Sequence, residues 1–230
     1  MILELCANSF KSAQIAQETG LDRIELCENL SVGGVTPNNS LIKKVIEELN
    51  IATHVLIRPR SGNFIYSPEE FEIMIDSIHA CKSIGCAGIV SGALTTNNTI
   101  DVFKTQVLME ASSGMEFTFH RAFDVCENPF KEFEVLKKLG VTRLLTSGQK
   151  TTAKEGLSLL KKLLEQTENK IEIMPGGGIN SENILDFKNA GFEMVHFSAL
   201  PKNEIPQNMF ENKVKGFSNK NEILKIKDLL

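Results

Sequence analysis

Phe117-Thr118-Phe119-His120-Arg121-Ala122-Phe123-Asp124 reads as a strand that runs out into a loop, and it delivers an imidazole, a guanidinium and a carboxylate within five residues at its exit. Strand alternation sets Phe117 and Phe119 on one face and Thr118 and His120 on the other. The same device recurs along the chain. Leu3 and Leu5, Ile24 and Leu26, Val55 and Ile57, Ile171 and Ile173, and Val195 and Phe197 hold the apolar parity. The opposite parity carries Glu4 and Cys6, Glu25 and Cys27, His54 and Arg58, Glu172 and Met174, and His196 and Ser198. A doubly wound open sheet, the competing architecture, buries strands that are apolar on both faces. These strands are not, so the reading is an α/β fold of the TIM (β/α)8 type with a polar interior.

Working outward, short strands alternate with helical patterns about eight times. Strands are expected at 2–6, 23–27, 53–57, 88–91, 115–119, 142–146, 170–174 and 194–197. Helix signals lie between them: Ser67-Pro68-Glu69-Glu70 combines a cap, an N1 proline and carboxylates on the dipole, and helices are also expected from Pro129, Ala153 and Ser181. Gly20, Gly85, Gly140 and Gly191 each end a helix two or three residues before a strand, spaced by roughly two strand-helix units. After Leu200 the pattern fails through Pro201, Pro206 and a polar run. The eighth helix is therefore expected to be irregular or missing, with a last helix at 222–230 and an imperfectly closed barrel there.

The chain has 230 residues, 42% of them hydrophobic, enough for one domain spanning 1–230. A formal net charge of −4, with both signs mixed along the chain, gives no footprint for nucleic acid or a membrane surface, and no apolar run approaches the ~18 residues of a span. Five cysteines without secretory spacing, behind an N-terminus lacking a signal-peptide pattern, point to a reducing, cytoplasmic location.

In a barrel of this type function sits at the carboxyl ends of the strands. Cys6, Cys27, Arg58, Arg60, His120, Arg121, Asp124, Ser147 and Gly176 to Gly178 all fall there. Buried charges need partners, so Glu4, Glu25, Arg58 and His120 are expected to form a connected network. Pro175-Gly176-Gly177-Gly178-Ile179-Asn180 places bare amides before a helix capped by Asn180 or Ser181, which suits a phosphate or carboxylate. Ser147 and Gly148, leaving the sixth strand, and Ser198, leaving the eighth, could add donors. Cys6 and Cys27 leave adjacent strands on one parity, and two thiolates suit a soft ion such as Cu(I). His54 reads as a core histidine and His79 as a solvated one.

Two functional readings follow from these residues. One is a protein that binds Cu(I) at Cys6 and Cys27. The other is an enzyme on a small anionic or phosphorylated metabolite, held by Arg58, Arg60, Arg121, Ser147, Gly148, Ser198 and the glycine loop, with Glu4, Glu25, His120 or Asp124 moving a proton.

Glu25-Leu26-Cys27, Gly33-Gly34-Val35-Thr36-Pro37, Ile57-Arg58-Pro59-Arg60, Phe117 to Asp124, Leu145 to Gln149 and Met174 to Gly178 together resemble the CutC family, named for copper homeostasis, in family order from about residue 2 to 198. The resemblance implies a cytoplasmic barrel, usually a homo-oligomer, with a role in copper handling through Cu(I) at Cys27 and Cys6 and no organic cofactor. Phe197-Ser198-Ala199-Leu200-Pro201 departs from the pattern, in which an arginine often follows the Ser-Ala pair.

Overall fold

The structure is a computed structural model that describes residues 1–201 and 216–230. Eight parallel strands, β1 (Ile2–Ala7), β2 (Arg23–Leu26), β3 (Ala52–Leu56), β4 (Gly88–Ser91), β5 (Glu116–Phe119), β6 (Arg143–Thr146), β7 (Glu172–Pro175) and β8 (Met194–Phe197), pair in the order β7-β6-β5-β4-β3-β2-β1-β8. A parallel bridge between Gly176 and His196 brings the two ends together, so the sheet is a nearly closed TIM barrel. The helices α1 (Phe10–Glu18), α2 (Asn39–Glu48), α3 (Pro68–Ile84), α4 (Val102–Ala111), α5 (Pro129–Leu139), α6 (Leu157–Leu164) and α7 (Ile184–Asn189) alternate with the strands. A short eighth helix, α8 (Lys220–Asp228), follows; the irregular stretch expected after Leu200 lies largely at 202–215, outside the described residues.

Local chemistry explains where most helices begin and stop. Ser67 caps α3 in a reciprocal capping box with Glu70, Pro68 occupies the first turn, and Gly85 ends the helix in the left-handed region at φ 94°. For α5, Asn128 accepts from the Lys131 amide, Pro129 occupies the first turn and Gly140 ends the helix in the left-handed region. Two starts differ from expectation. Helix α6 begins at Leu157 rather than Ala153, because the Ala153 amide donates to the Gly177 carbonyl. Helix α7 begins at Ile184 rather than Ser181, whose amide and hydroxyl donate to the Glu222 carboxylate of α8.

Two apolar cores result from the alternation. The larger lies between sheet and helices and contains Leu5, Ile24, Ile57, Phe117, Phe119, Phe133 and Phe187. The smaller lies inside the barrel and consists of Cys6, Cys27, Leu56, Val90, Leu145, Met174 and Met194. Beside this inner cluster the lumen is charged, and strand register dictates the pairs. Glu4 stands level with Arg23 across the β1–β2 seam and with His196 across the β1–β8 seam.

Candidate metal centre

The Glu4 carboxylate, fully buried, takes the Arg23 guanidinium on one oxygen and His196 Nδ1 on the other at 2.8 Å. Burial alone would raise this carboxyl. His196, Arg23 and His54 outweigh it and hold Glu4 at about 2, an ionised group. For His196 burial opposes the charged form, and the attraction of Glu25, Cys6 and Glu4 overcomes it, raising the imidazole well above its ordinary value. Nδ1 is committed to Glu4, which leaves Nε2 for the carboxyl-terminal side of the barrel.

Cys6 and Cys27 meet on that side. Their sulfurs are 3.6 Å apart, and Cys6 Sγ is 3.9 Å from Glu25 Oε1. One ligand atom each from Cys6, Glu25 and His196 lies within 4.8 Å of the other two, and all three residues are buried. The hydrogen bond to Cys27 and burial push the Cys6 thiol well above its usual range. Burial likewise pushes Glu25 up to about 7, with the Glu4 charge adding to it and His196 opposing. Gly34 seals the pair from the β2 side. With φ +86°, it lies where a Cβ would stand 2.8 Å from Leu56 Cδ2 and 3.7 Å from Cys27 Sγ. Gly176 is confined in the same way between Leu145 and His196.

A cavity of about 430 Å3 opens from this cluster to the strand ends, lined by Cys6, Glu25, His196, Leu30, Val32, Leu56, Arg58, Phe64, His120, Arg121, Asp124, Gly177, Gly178 and Ser198 among others. The residues predicted from sequence divide here. Arg60 turns away to Glu70 and to loop carbonyls, and Gly176 is packed between Leu145 and His196, so neither lines the cavity. The Asp124 carboxylate accepts from Thr146 Oγ1, Ser147 N, Ser147 Oγ, Gln149 N and Arg121 Nε, and so clamps the loop after β6. Ser147 and Gly148 belong to that loop, Gly148 packing against the Gly156 backbone. Glu4 sits below the cavity under His196. Gly177 and Gly178 do reach it, but the expected helix N-terminus does not stand behind them: Asn180 and Asn183 fold a turn onto the Gly178 carbonyl before α7 starts.

The network expected to join Glu4, Glu25, Arg58 and His120 is also divided. Glu4 and Glu25 meet around His196, whereas the Arg58 guanidinium donates to the Val32, Gly34 and Gly62 carbonyls, and His120 Nδ1 accepts from the Ala122 amide. The Val32–Gly34 turn and Gly62 curl over Arg58 and supply the acceptors expected of a carboxylate. Parity places His196 in the lumen but assigns it no role. Its partner, Glu4, is 192 residues away, and only closure of the barrel joins them.

A larger cavity, of about 980 Å3, opens at the amino-terminal ends of β5 to β7. Three of its charged groups are consumed in ion pairs, Arg143 with Glu116 at 2.9 Å and with Glu172 at 3.0 Å. The cluster of candidate metal ligands is at the other end.

A family model described as the CutC family matches residues 1–200. The chain belongs to the CutC family. It is 48% identical over 199 residues to a CutC family protein of Pasteurella multocida, covering 86% of this chain and 82% of that one. A CutC family protein of Glaesserella parasuis is 38% identical over 229 residues, covering 99% of this chain and 94% of that one. Among solved structures, CutC from Streptococcus agalactiae, described as a candidate copper homeostasis protein, superimposes with a TM-score of 0.80 at 35% identity, covering 86% of this chain and 98% of that one. A phosphoribosylanthranilate isomerase from Pyrococcus furiosus, at 14% identity and a TM-score of 0.58 over 98% of this chain and 96% of that one, shares the barrel fold. Among the described residues no helix is long and apolar enough to cross a membrane.

Proposed function

We propose that this CutC protein binds Cu(I) at Cys6 and Cys27, with His196 as a third donor and Glu25 at its edge. The observation that carries the reading is the 3.6 Å separation of two buried, free sulfurs. Two sulfurs each about 2.3 Å from one tetrahedral ion stand about 3.8 Å apart, so the pair accepts an ion with little movement. Two thiols and an imidazole select a soft or borderline cation, and the family's place in copper homeostasis favours Cu(I). Groups behind the donors hold them in place: Glu4 orients the His196 ring, and Arg23 fixes Glu4. Free thiols throughout suit a reducing compartment such as the cytoplasm. The raised Cys6 thiol must lose its proton to ligate, so affinity rises with pH.

A competition titration of reduced protein against a Cu(I) chelator tests this. Wild type is expected to take one tight equivalent, and Cys27→Ser and Cys6→Ser to lose it. Equal affinity in all three proteins would end the proposal.

A second reading, acid/base catalysis on a small anionic metabolite, draws its support from Glu25. A carboxyl at about 7 that reaches a cavity can give or take a proton near neutrality.

A further inference from the structure

The cavity beside the metal cluster has two buried side chains whose hydrogen bonding is unfinished. Arg58 is 6% exposed and spends its terminal nitrogens on three carbonyls, yet its Nε has no acceptor among the described residues. His120 is 4% exposed; its Nδ1 accepts from Ala122, which fixes the proton of the neutral ring on Nε2, and Nε2 also lacks a partner. Leaving such donors unpaired is costly, and buried polar groups ordinarily find partners. Arg58 has no carboxylate partner among the described residues either: its neighbours are carbonyls, the face of Phe64 at 4.9 Å and the buried Tyr66 phenol, whose hydroxyl also makes no hydrogen bond among those residues. Both side chains line one wall of the same cavity, where Gly177 lies near the Arg121 guanidinium.

We infer that this wall is an oxyanion site, and that the cavity takes a small organic molecule carrying a carboxylate or a phosphate. The acceptor oxygens would complete Arg58 Nε–H and His120 Nε2–H, with Arg121 adding charge at the open side. The organic body would lie against Leu30, Leu56, Phe64 and Leu145. At about 430 Å3 the space is at the small end of metabolite pockets. Burial and the nearby Arg58 charge hold His120 at about 3, so the ring binds as a neutral donor throughout the physiological range. This site uses neither cysteine and is independent of the copper reading; it rests on the anionic-metabolite reading and supplies the groups that would hold the anion.

The test is calorimetric titration of the metal-free protein with inorganic phosphate and, separately, with butyrate, followed by nitrogen-resolved NMR of the Arg58 and His120 side chains. Saturable binding of either probe, with Arg58 Nε and His120 Nε2 shifted, is expected; the probe that binds identifies the headgroup. His120→Phe removes the donor while keeping a ring and should weaken binding about tenfold or more. Val32→Glu, at an exposed rim position that supplies no side-chain hydrogen bond, should do the same by placing a carboxylate at the entrance, and its fold should be intact. No saturable binding of either probe, or binding indifferent to both variants, would overturn the inference whether or not copper binds.

Discussion

Replacing Glu25 with glutamine should stabilise the metal-free protein above pH 7 and leave it nearly unchanged at pH 4.5. In the folded chain burial raises this carboxyl from 4.5 to about 7, so the native state keeps a proton that the unfolded chain has released. Where the native state binds more protons, stability falls as pH rises. The loss begins near 4.5, is complete a little above 7, and amounts to about 3 kcal/mol. Glutamine has no proton to lose and should recover most of that at about pH 8, because the attraction to His196 is already included in the value near 7. Urea denaturation of both proteins at the two pH values measures it directly, each midpoint shift converting to free energy through the slope. A variant no more stable than wild type at high pH, or a difference that does not change with pH, would refute the reasoning. If the gain appears, the natural carboxylate is kept at a cost in stability, as residues retained for function are.

Glu4→Gln should be strongly destabilising, by about 3–5 kcal/mol, because it leaves Arg23 and His196 as buried cations without their shared carboxylate; urea midpoints at neutral pH check it, and a change under about 1 kcal/mol would contradict the assigned network. Asp124→Asn should loosen the loop from Thr146 to Gln149, since an amide cannot accept from five donors. The expected result is faster hydrogen exchange at the Ser147 and Gln149 amides with a small change in global stability.

Sequence alone carries the barrel because each strand declares its faces locally. Phe117 and Phe119 point to the helices and Thr118 and His120 inward, and no distant partner is needed to see it. The same holds for α3 and α5, whose caps, prolines and terminal glycines lie within a few residues of their ends. What stayed hidden depends on contacts far apart in the chain. The late starts of α6 and α7 are set by the Gly177 carbonyl and the Glu222 carboxylate. Parity places Cys6 and Cys27 at the strand ends, but their 3.6 Å approach depends on register, which pairs Cys6 with Glu25 across the seam. His196 joins the cluster only when β8 closes on β1 and Glu4 takes its Nδ1. Arg58 and Asp124 lie beyond the ends of β3 and β5, yet Arg58 spends its charge on carbonyls and Asp124 takes backbone and hydroxyl donors as well as Arg121, which charge pairing could not foresee.

The central claim is tested most directly by X-ray absorption at the copper edge of the Cu(I)-loaded, reduced protein. Two sulfurs at about 2.3 Å and one imidazole nitrogen are predicted, the nitrogen vanishing in His196→Ala and one sulfur in Cys27→Ser. Copper bound without sulfur, or a coordination shell unchanged by both substitutions, would contradict the account.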